Sequence, residues 1–322
     1  MNGTLSIVDG RNTLHFERRL KHPVEKVWRA LTVADDLRHW FPAAIEGERT
    51  QGANLRFVFP DDAAPLTEGQ ITAFEPPTLF EFTWGGELLR WELQPDPSGC
   101  LLRFTHTFKD RAGAASFAAG WHGCLDALNS LLDGQPGEIM VPGWAARHEE
   151  YVKQFGLNAG TAERTADGWL IRFERQLTSP VDTVWAALTT TGEETPDPGK
   201  LASGDAPPLR ATNRYVAAGT ITAITAPTLL EYRWQDEGEA AGLVRWALSN
   251  GPGGARLMLT QTLPEALTAQ RPLYLAVWQT HLELFTDHLK GIEHCPWPTE
   301  RTEELRRQYA ETIAYPALDV KL

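Results

Sequence analysis

Apolar residues at Trp121, Leu125, Leu128 and Leu132 are spaced four, three and four apart, which is one face of a helix. Ala118 and Leu131 widen this stripe and Gly134 follows it as a C-terminal stop, so the pattern predicts a helix over 118–134. The stripe returns 157 positions later as Trp278, Leu282, Phe285 and Leu289, ending at Gly291. Two tryptophan-led helices with glycine stops predict a chain made of two copies of one unit.

Upstream of the first helix the period changes to two. Leu14 to Leu20 alternates as a strand, with Leu14 and Phe16 on one side. Pro23 opens a short helix with Val24, Val27, Trp28 and Leu31 as its buried stripe, read with proline at the first helical position. A shorter helical segment, Asp35 to Phe41, ends at Pro42. Strands are then predicted over 52–59, 69–75, 78–84, 88–93 and 101–108, separated by turns rich in Pro, Gly and Asp such as Pro60-Asp61-Asp62. Short separators imply an antiparallel meander. A curved sheet of five or six strands needs a cover, and the Trp121 helix is the element long enough to provide it. Space between sheet and helix is the physical reason to expect a cavity.

The second copy repeats the first strand as Ile171 to Leu177 and the first helix as Val181, Val184, Trp185 and Leu188, read with Ser179 as cap and Pro180 at the first position. Residues 157–168, small and polar, read as a linker. From Gly219 to Trp234 the chain matches Gly69 to Trp84 at an offset of 150, which removes seven residues and leaves no counterpart of His39-Trp40-Phe41. Leu243 to Leu248 matches Leu88 to Leu93 at 155, which places an insertion in the hairpin before it. These offsets put the domains at 1–156 and 163–291, followed by a helical C-terminal extension, 292–322. A further helical segment is predicted between Pro136 and Phe155.

Composition narrows the function classes. A chain of 322 residues suits two domains, and 30 basic against 42 acidic residues gives a formal charge of -12. That balance disfavours nonspecific nucleic-acid binding, and no nucleic-acid partner is expected. No stretch approaches the length of a membrane span and Met1 to Gly10 has no signal-like pattern, so a soluble, cytoplasmic protein without integral membrane association is expected. Cys100, Cys124 and Cys295 have no metal-ligand spacing, and neither a metal nor a cofactor is expected.

The segments FERRLKHPVEKVWRALT, HWF, GQITAFEPPTLFEFTW and AGWHGCLDALNSLLDG together resemble the START-like, or SRPBCC, superfamily of helix-grip and Bet v 1-like proteins. More closely, the chain is similar to bacterial proteins related to the C-terminal domain of the activator of Hsp90 ATPase. The resemblance covers about residues 12–135 and, more weakly, about 169–291. It implies an α+β fold: two helix-grip domains, each a curved antiparallel sheet wrapped around a long C-terminal helix. It further implies an apolar cavity that serves hydrophobic ligands or enzyme chemistry in some members, with Hsp90 binding in eukaryotic relatives.

Candidate ligand-binding residues are the aromatics Trp40, Phe41, Phe57, Phe59, Trp84, Trp91, Phe104 and Trp121, together with His106 and His122. His106 shares its face with Phe104 and Phe108. A histidine there is a polar handle for a ligand or an acid–base group, and aromatics in such a stripe also serve as plain core. Arg90 and Glu92 flank Trp91 and are expected to face solvent. No nucleophile elbow, phosphate loop or zinc motif is present, so binding rather than catalysis is expected, with no catalytic residue assigned. The expected partner is a small hydrophobic or aromatic ligand in the first domain, with an Hsp90-like chaperone as the alternative and a histidine-based enzyme as a third reading.

Overall fold

Strict alternation along Gly99–Phe108 places Cys100, Leu102, Phe104, His106 and Phe108 on one face, and in the computed structural model all five are buried while the residues between them are partly exposed. The structure describes residues 2–59, 67–135, 143–190 and 201–314. The Pro60-Asp61-Asp62 turn, the first part of the predicted 136–155 segment, the first half of the polar stretch 193–208 after the second copy's first helix, and the end of the C-terminal extension lie outside them. The chain divides into two units, Met1–Phe155 and Gly156–Leu322.

In the first unit the strands are β1 (Thr4–Val8), β2 (Arg11–Leu20), β3 (Ala44–Glu46), β4 (Asn54–Val58), β5 (Thr67–Glu75), β6 (Leu79–Trp84), β7 (Glu87–Asp96) and β8 (Gly99–Phe108). They form one antiparallel sheet in the order β1-β2-β8-β7-β6-β5-β4-β3. The meander from β4 to β8 is the one the short turns predict, and β3 is a further short strand at its edge. The helices are α1 (Val24–Thr32), α2 (Ala34–Leu37), α3 (Ala114–Leu132) and α4 (Trp144–Gln154). The long helix starts at Ala114, a turn before the predicted Ala118. It ends in a Schellman motif: the Gly134 N–H donates to Leu131 and the Gln135 N–H to Ser130, with Gly134 at φ 77°. Leu14, Phe16, Phe80, Phe82, Leu89, Trp91 and the inward side of β8 form the core that α3 covers.

The second unit has β9 (Thr161–Thr165), β10 (Gly168–Gln176), α5 (Val181–Thr189), β11 (Ala217–Thr225), β12 (Leu229–Asp236), β13 (Glu239–Gly251), β14 (Gly254–Pro264), α6 (Arg271–Leu289) and α7 (Thr299–Ala314). Its sheet runs β11-β12-β13-β14-β10-β9. Both units are α+β, a sheet packed on a long helix. Gly291, at φ 79°, closes α6 as Gly134 closes α3.

Three sequence readings change. Pro23 and Pro180 hold extended ψ values of 154° and 156° and cap α1 and α5 from outside, so each helix starts one residue later than predicted and Pro180, not Ser179, is the cap of α5. The linker 157–168 contains β9, which pairs with β10 as β1 pairs with β2. Both edge strands leave most of their side chains exposed, so neither writes a burial pattern into the sequence.

The third change concerns α4 and α7, which are equivalent elements. Tyr151 of α4 accepts a hydrogen bond from the Gly3 N–H at 3.0 Å, and its hydroxyl lies 2.8 Å from His122 Nδ1 on α3. Tyr309 of α7 accepts from the Gly160 N–H at 2.8 Å and donates to Gln279 of α6 at 2.5 Å. In each unit one tyrosine thus ties the N-terminal segment to the long helix. The repeat runs to the end of α7, and α7 is a structural part of the second unit.

Candidate functional site

The α3 stripe turns Trp121 toward the inner face of the sheet, where its ring meets Phe104 at 4.6 Å, Phe41 at 5.7 Å and Trp91 at 5.9 Å. Beside this contact, between α3 and β6–β8, is a cavity of about 390 Å³. Trp84, Trp121 and Phe117 give it aromatic walls, and Pro42 and Cys124 add further apolar surface. Gly120 opens the helix side: a Cβ placed there would meet nothing within 4 Å.

A polar relay crosses the cavity. The Trp121 Nε1–H donates to His106 Nδ1 at 3.0 Å, and His106 Nε2 lies 2.7 Å from Glu87 Oε2. Because Nδ1 accepts from an indole, which can only donate, the proton of the neutral ring sits on Nε2 and is given to the carboxylate. Both ring nitrogens of His106 are therefore held by protein groups. The free polar end of the relay is Glu87, whose side chain is one-third exposed. Ser116, also in the wall, is buried and its Oγ has no partner among the described residues. Cys124 is a buried thiol, and burial pushes its pKa up to about 12, so it stays protonated at neutral pH.

The ten candidate residues fall into four places. Trp84, His106 and Trp121 line the cavity. Phe41 and Phe59 line an adjacent hollow of about 380 Å³ with Arg38, Pro42, Ala44 and Val58. Trp40, Phe57, Trp91 and Phe104 are at most 1% exposed and pack on other rings, Trp91 stacking on Phe104 at 3.9 Å and meeting Trp40 edge-to-face at 5.3 Å. The Trp40 indole donates to the Ala30 carbonyl at 2.9 Å, which fixes the segment after α1 under the sheet. His122 projects from α3 toward α4, where Tyr151 and Arg147 occupy its two nitrogens at 2.8 and 2.7 Å. Burial holds its pKa below the ordinary histidine value, with Asp126 acting in the opposite direction. Arg90 and Glu92 face outward as expected, joined with Glu81 in a network at 2.9 and 3.0 Å.

Sequence reasoning missed Glu87. The signal was present: Glu87 is in phase with Leu89, Trp91 and Leu93, so alternation puts a carboxylate on the buried face of β7. Phe117 and Gly120 lie on the α3 stripe, and Gly120 reads as a helix-weakening residue until the cavity beside it is seen.

In the second unit the same positions are filled. Gln261 stands for His106 and accepts from the Trp278 indole at 2.6 Å, while Val277 stands for Gly120 and is fully buried. Gly242 stands for Glu87. A separate hollow of about 490 Å³ is lined by Arg210, Arg214, His281, His288, Glu293 and Trp297, among others. His281 shapes it, donating from Nε2 to the Arg210 carbonyl at 2.9 Å. Burial lowers the His281 pKa from 6.5 to about 4. Below pH 6.5 the unfolded chain takes up a proton that the folded unit refuses until about pH 4. Stability of the second unit is therefore expected to fall by about 3 kcal/mol across that window. Urea unfolding at pH 7, 5.5 and 4 checks this: His281→Gln should flatten the slope, and an unchanged slope would remove His281 as its origin.

Among the described residues no three metal-binding side chains converge, and no helix is long and apolar enough to cross a membrane. Comparison with known proteins places residues 21–133 on the model of the family described as activator of Hsp90 ATPase homolog 1-like protein. No curated protein matches the chain. Among solved structures the chain is similar to CalU16 from Micromonospora echinospora, at 21% identity over 48% of this chain and 95% of that one, with a TM-score of 0.40. It is also similar to the conserved protein of unknown function EF2215 from Enterococcus faecalis, at 19% identity over 48% and 90%, with a TM-score of 0.42. Protein MLL2253 from Mesorhizobium loti is 25% identical over 38% and 97%, with a TM-score of 0.35.

Proposed function

We propose that the first unit, which carries an activator of Hsp90 ATPase homolog 1-like domain of the START-like superfamily, binds a small apolar or aromatic ligand between its sheet and long helix. The observation that supports this reading most directly is the cavity of about 390 Å³, walled by Trp84, Phe117 and Trp121 and kept open at Gly120. An aromatic-walled space with few polar groups is the usual form of a small-molecule site.

Gly120 supplies the test. Gly120→Leu adds a side chain into open space on a helix that tolerates leucine better than glycine. The variant is expected to fold at least as stably as the parent and to lose ligand binding by tenfold or more. Native mass spectrometry for co-purified ligand, followed by thermal-shift screening of an aromatic and lipid library, provides the readout. No bound species and no shift with the unsubstituted chain would overturn the reading.

The family match supports a second reading, a module that engages an Hsp90-type chaperone. A pull-down against the host's Hsp90 homologue, with ATPase rate as the functional measure, tests it. In that case Gly120→Leu should leave the interaction unchanged, because the cavity is not its surface.

A further inference from the structure

Resting on the cavity reading above, we infer that the ligand carries a positive charge or a strong N–H donor on its apolar body: the site is built for an aromatic or aliphatic amine. Among the described residues that line the cavity, Glu87 is the one charged group. Its Oε2 is fixed by the His106 Nε2–H at 2.7 Å, and its Oε1 has no hydrogen-bond partner among the described residues. Behind it His106 is itself fixed by the Trp121 indole at 3.0 Å. The relay orients the carboxylate and spends no acceptor on the ligand side. One anionic oxygen is left for whatever enters.

Among the described residues no arginine or lysine forms an ion pair with it. Arg11 donates to the backbone carbonyls of Gly86 at 2.9 Å and Thr107 at 3.5 Å, and it does not line the cavity. The indole faces of Trp84 and Trp121 and the ring of Phe117 carry negative quadrupole potential, which favours a cation and disfavours an anion in the same space. A carboxylate or phosphate headgroup would bring a like charge onto Glu87. An ammonium would gain a charge-assisted hydrogen bond there. In the second unit Gly242 stands for Glu87 and Gln261 for His106, and the space is filled.

Three indoles of similar size separate the possibilities by calorimetric titration of the full chain: tryptamine, 3-ethylindole and indole-3-acetate. The expected order is tryptamine at least tenfold tighter than 3-ethylindole, with indole-3-acetate the weakest. Glu87→Gln should weaken tryptamine at least tenfold and so remove its advantage over 3-ethylindole. If 3-ethylindole binds but tryptamine gains nothing, or its advantage persists in Glu87→Gln, the amine inference fails and the cavity reading stands. If none of the three binds, the amine inference fails, and the library screen decides the cavity reading separately.

Discussion

Removal of the last helix is expected to unfold the second unit rather than trim it. A chain ending at Ile292 loses Leu305 and Tyr309, which are 3% and 9% exposed and pack into that unit's core. Their burial contributes about 4 kcal/mol, a large share of the roughly 5–15 kcal/mol that holds a domain folded. Polar ties go with them. Arg301 grips Glu283 of α6 through two hydrogen bonds at 3.0 and 3.1 Å, and Thr302, fully buried, lies 3.1 Å from the Thr280 hydroxyl. Hydrogen exchange by mass spectrometry resolves the units separately. Peptides from β10 to β14 should lose at least tenfold in protection while those from β2 to β8 keep theirs. Retained protection in the second unit would show that α7 is a dispensable appendage. Tyr309→Phe, a milder probe, removes the hydroxyl that serves Gly160 and Gln279, and is expected to cost about 1–3 kcal/mol.

How much of this was legible in the sequence depends on whether burial left a period behind. β8 alternates without exception, and α3 and α6 carry full stripes ending at glycine, so these elements and the duplication could be read directly. β1 and β9 could not be read from burial. Ile7 and Val8 are 67% and 46% exposed, and β9 buries none of its five residues fully. The clue to β1 was the Asp9-Gly10 pair, both at positive φ, which is turn chemistry rather than hydrophobic pattern. The equivalence of α4 and α7 was hidden for another reason. It rests on one tyrosine and its two hydrogen bonds, while the rest of each helix surface has diverged. At the site, alternation placed His106 correctly beside Phe104 and Phe108. It could not separate Trp84 and Trp121, which border the cavity, from Trp91 and Phe104, which fill the core. That distinction is a matter of which ring meets another ring, and it is set by tertiary packing.

Gly242→Glu, which restores to the second unit the carboxylate of the first, is expected to cost more than about 4 kcal/mol and to leave that unit largely unfolded. A Cβ at Gly242 would lie 2.4 Å from Thr262 Oγ1, 2.8 Å from the Thr262 carbonyl oxygen and 2.8 Å from Trp234 Nε1. The reason goes back to strands that the described residues of the second unit do not have. In the first unit Trp84 is partly exposed because it stacks outward on Phe57 and Phe59, at 5.0 and 5.8 Å, in and just after β4. Among the described residues the six-stranded sheet ends at β11 and has no counterpart of β3 and β4. Its equivalent tryptophan, Trp234, is 1% exposed, packs on Tyr274 at 5.4 Å and donates to the Thr262 carbonyl at 2.9 Å. The indole occupies the space that the Glu87 side chain takes in the first unit, so glycine is required opposite it. The loss of two edge strands, the inward tryptophan, the glycine and the filled cavity are one linked change. Urea unfolding with tryptophan fluorescence measures the cost, and a Gly242→Glu chain within 1 kcal/mol of the parent would break that linkage. Gly242→Ala should already be destabilising, since the Thr262 backbone it would press on is held opposite Leu170 in the β10–β14 ladder and accepts the Trp234 indole hydrogen bond.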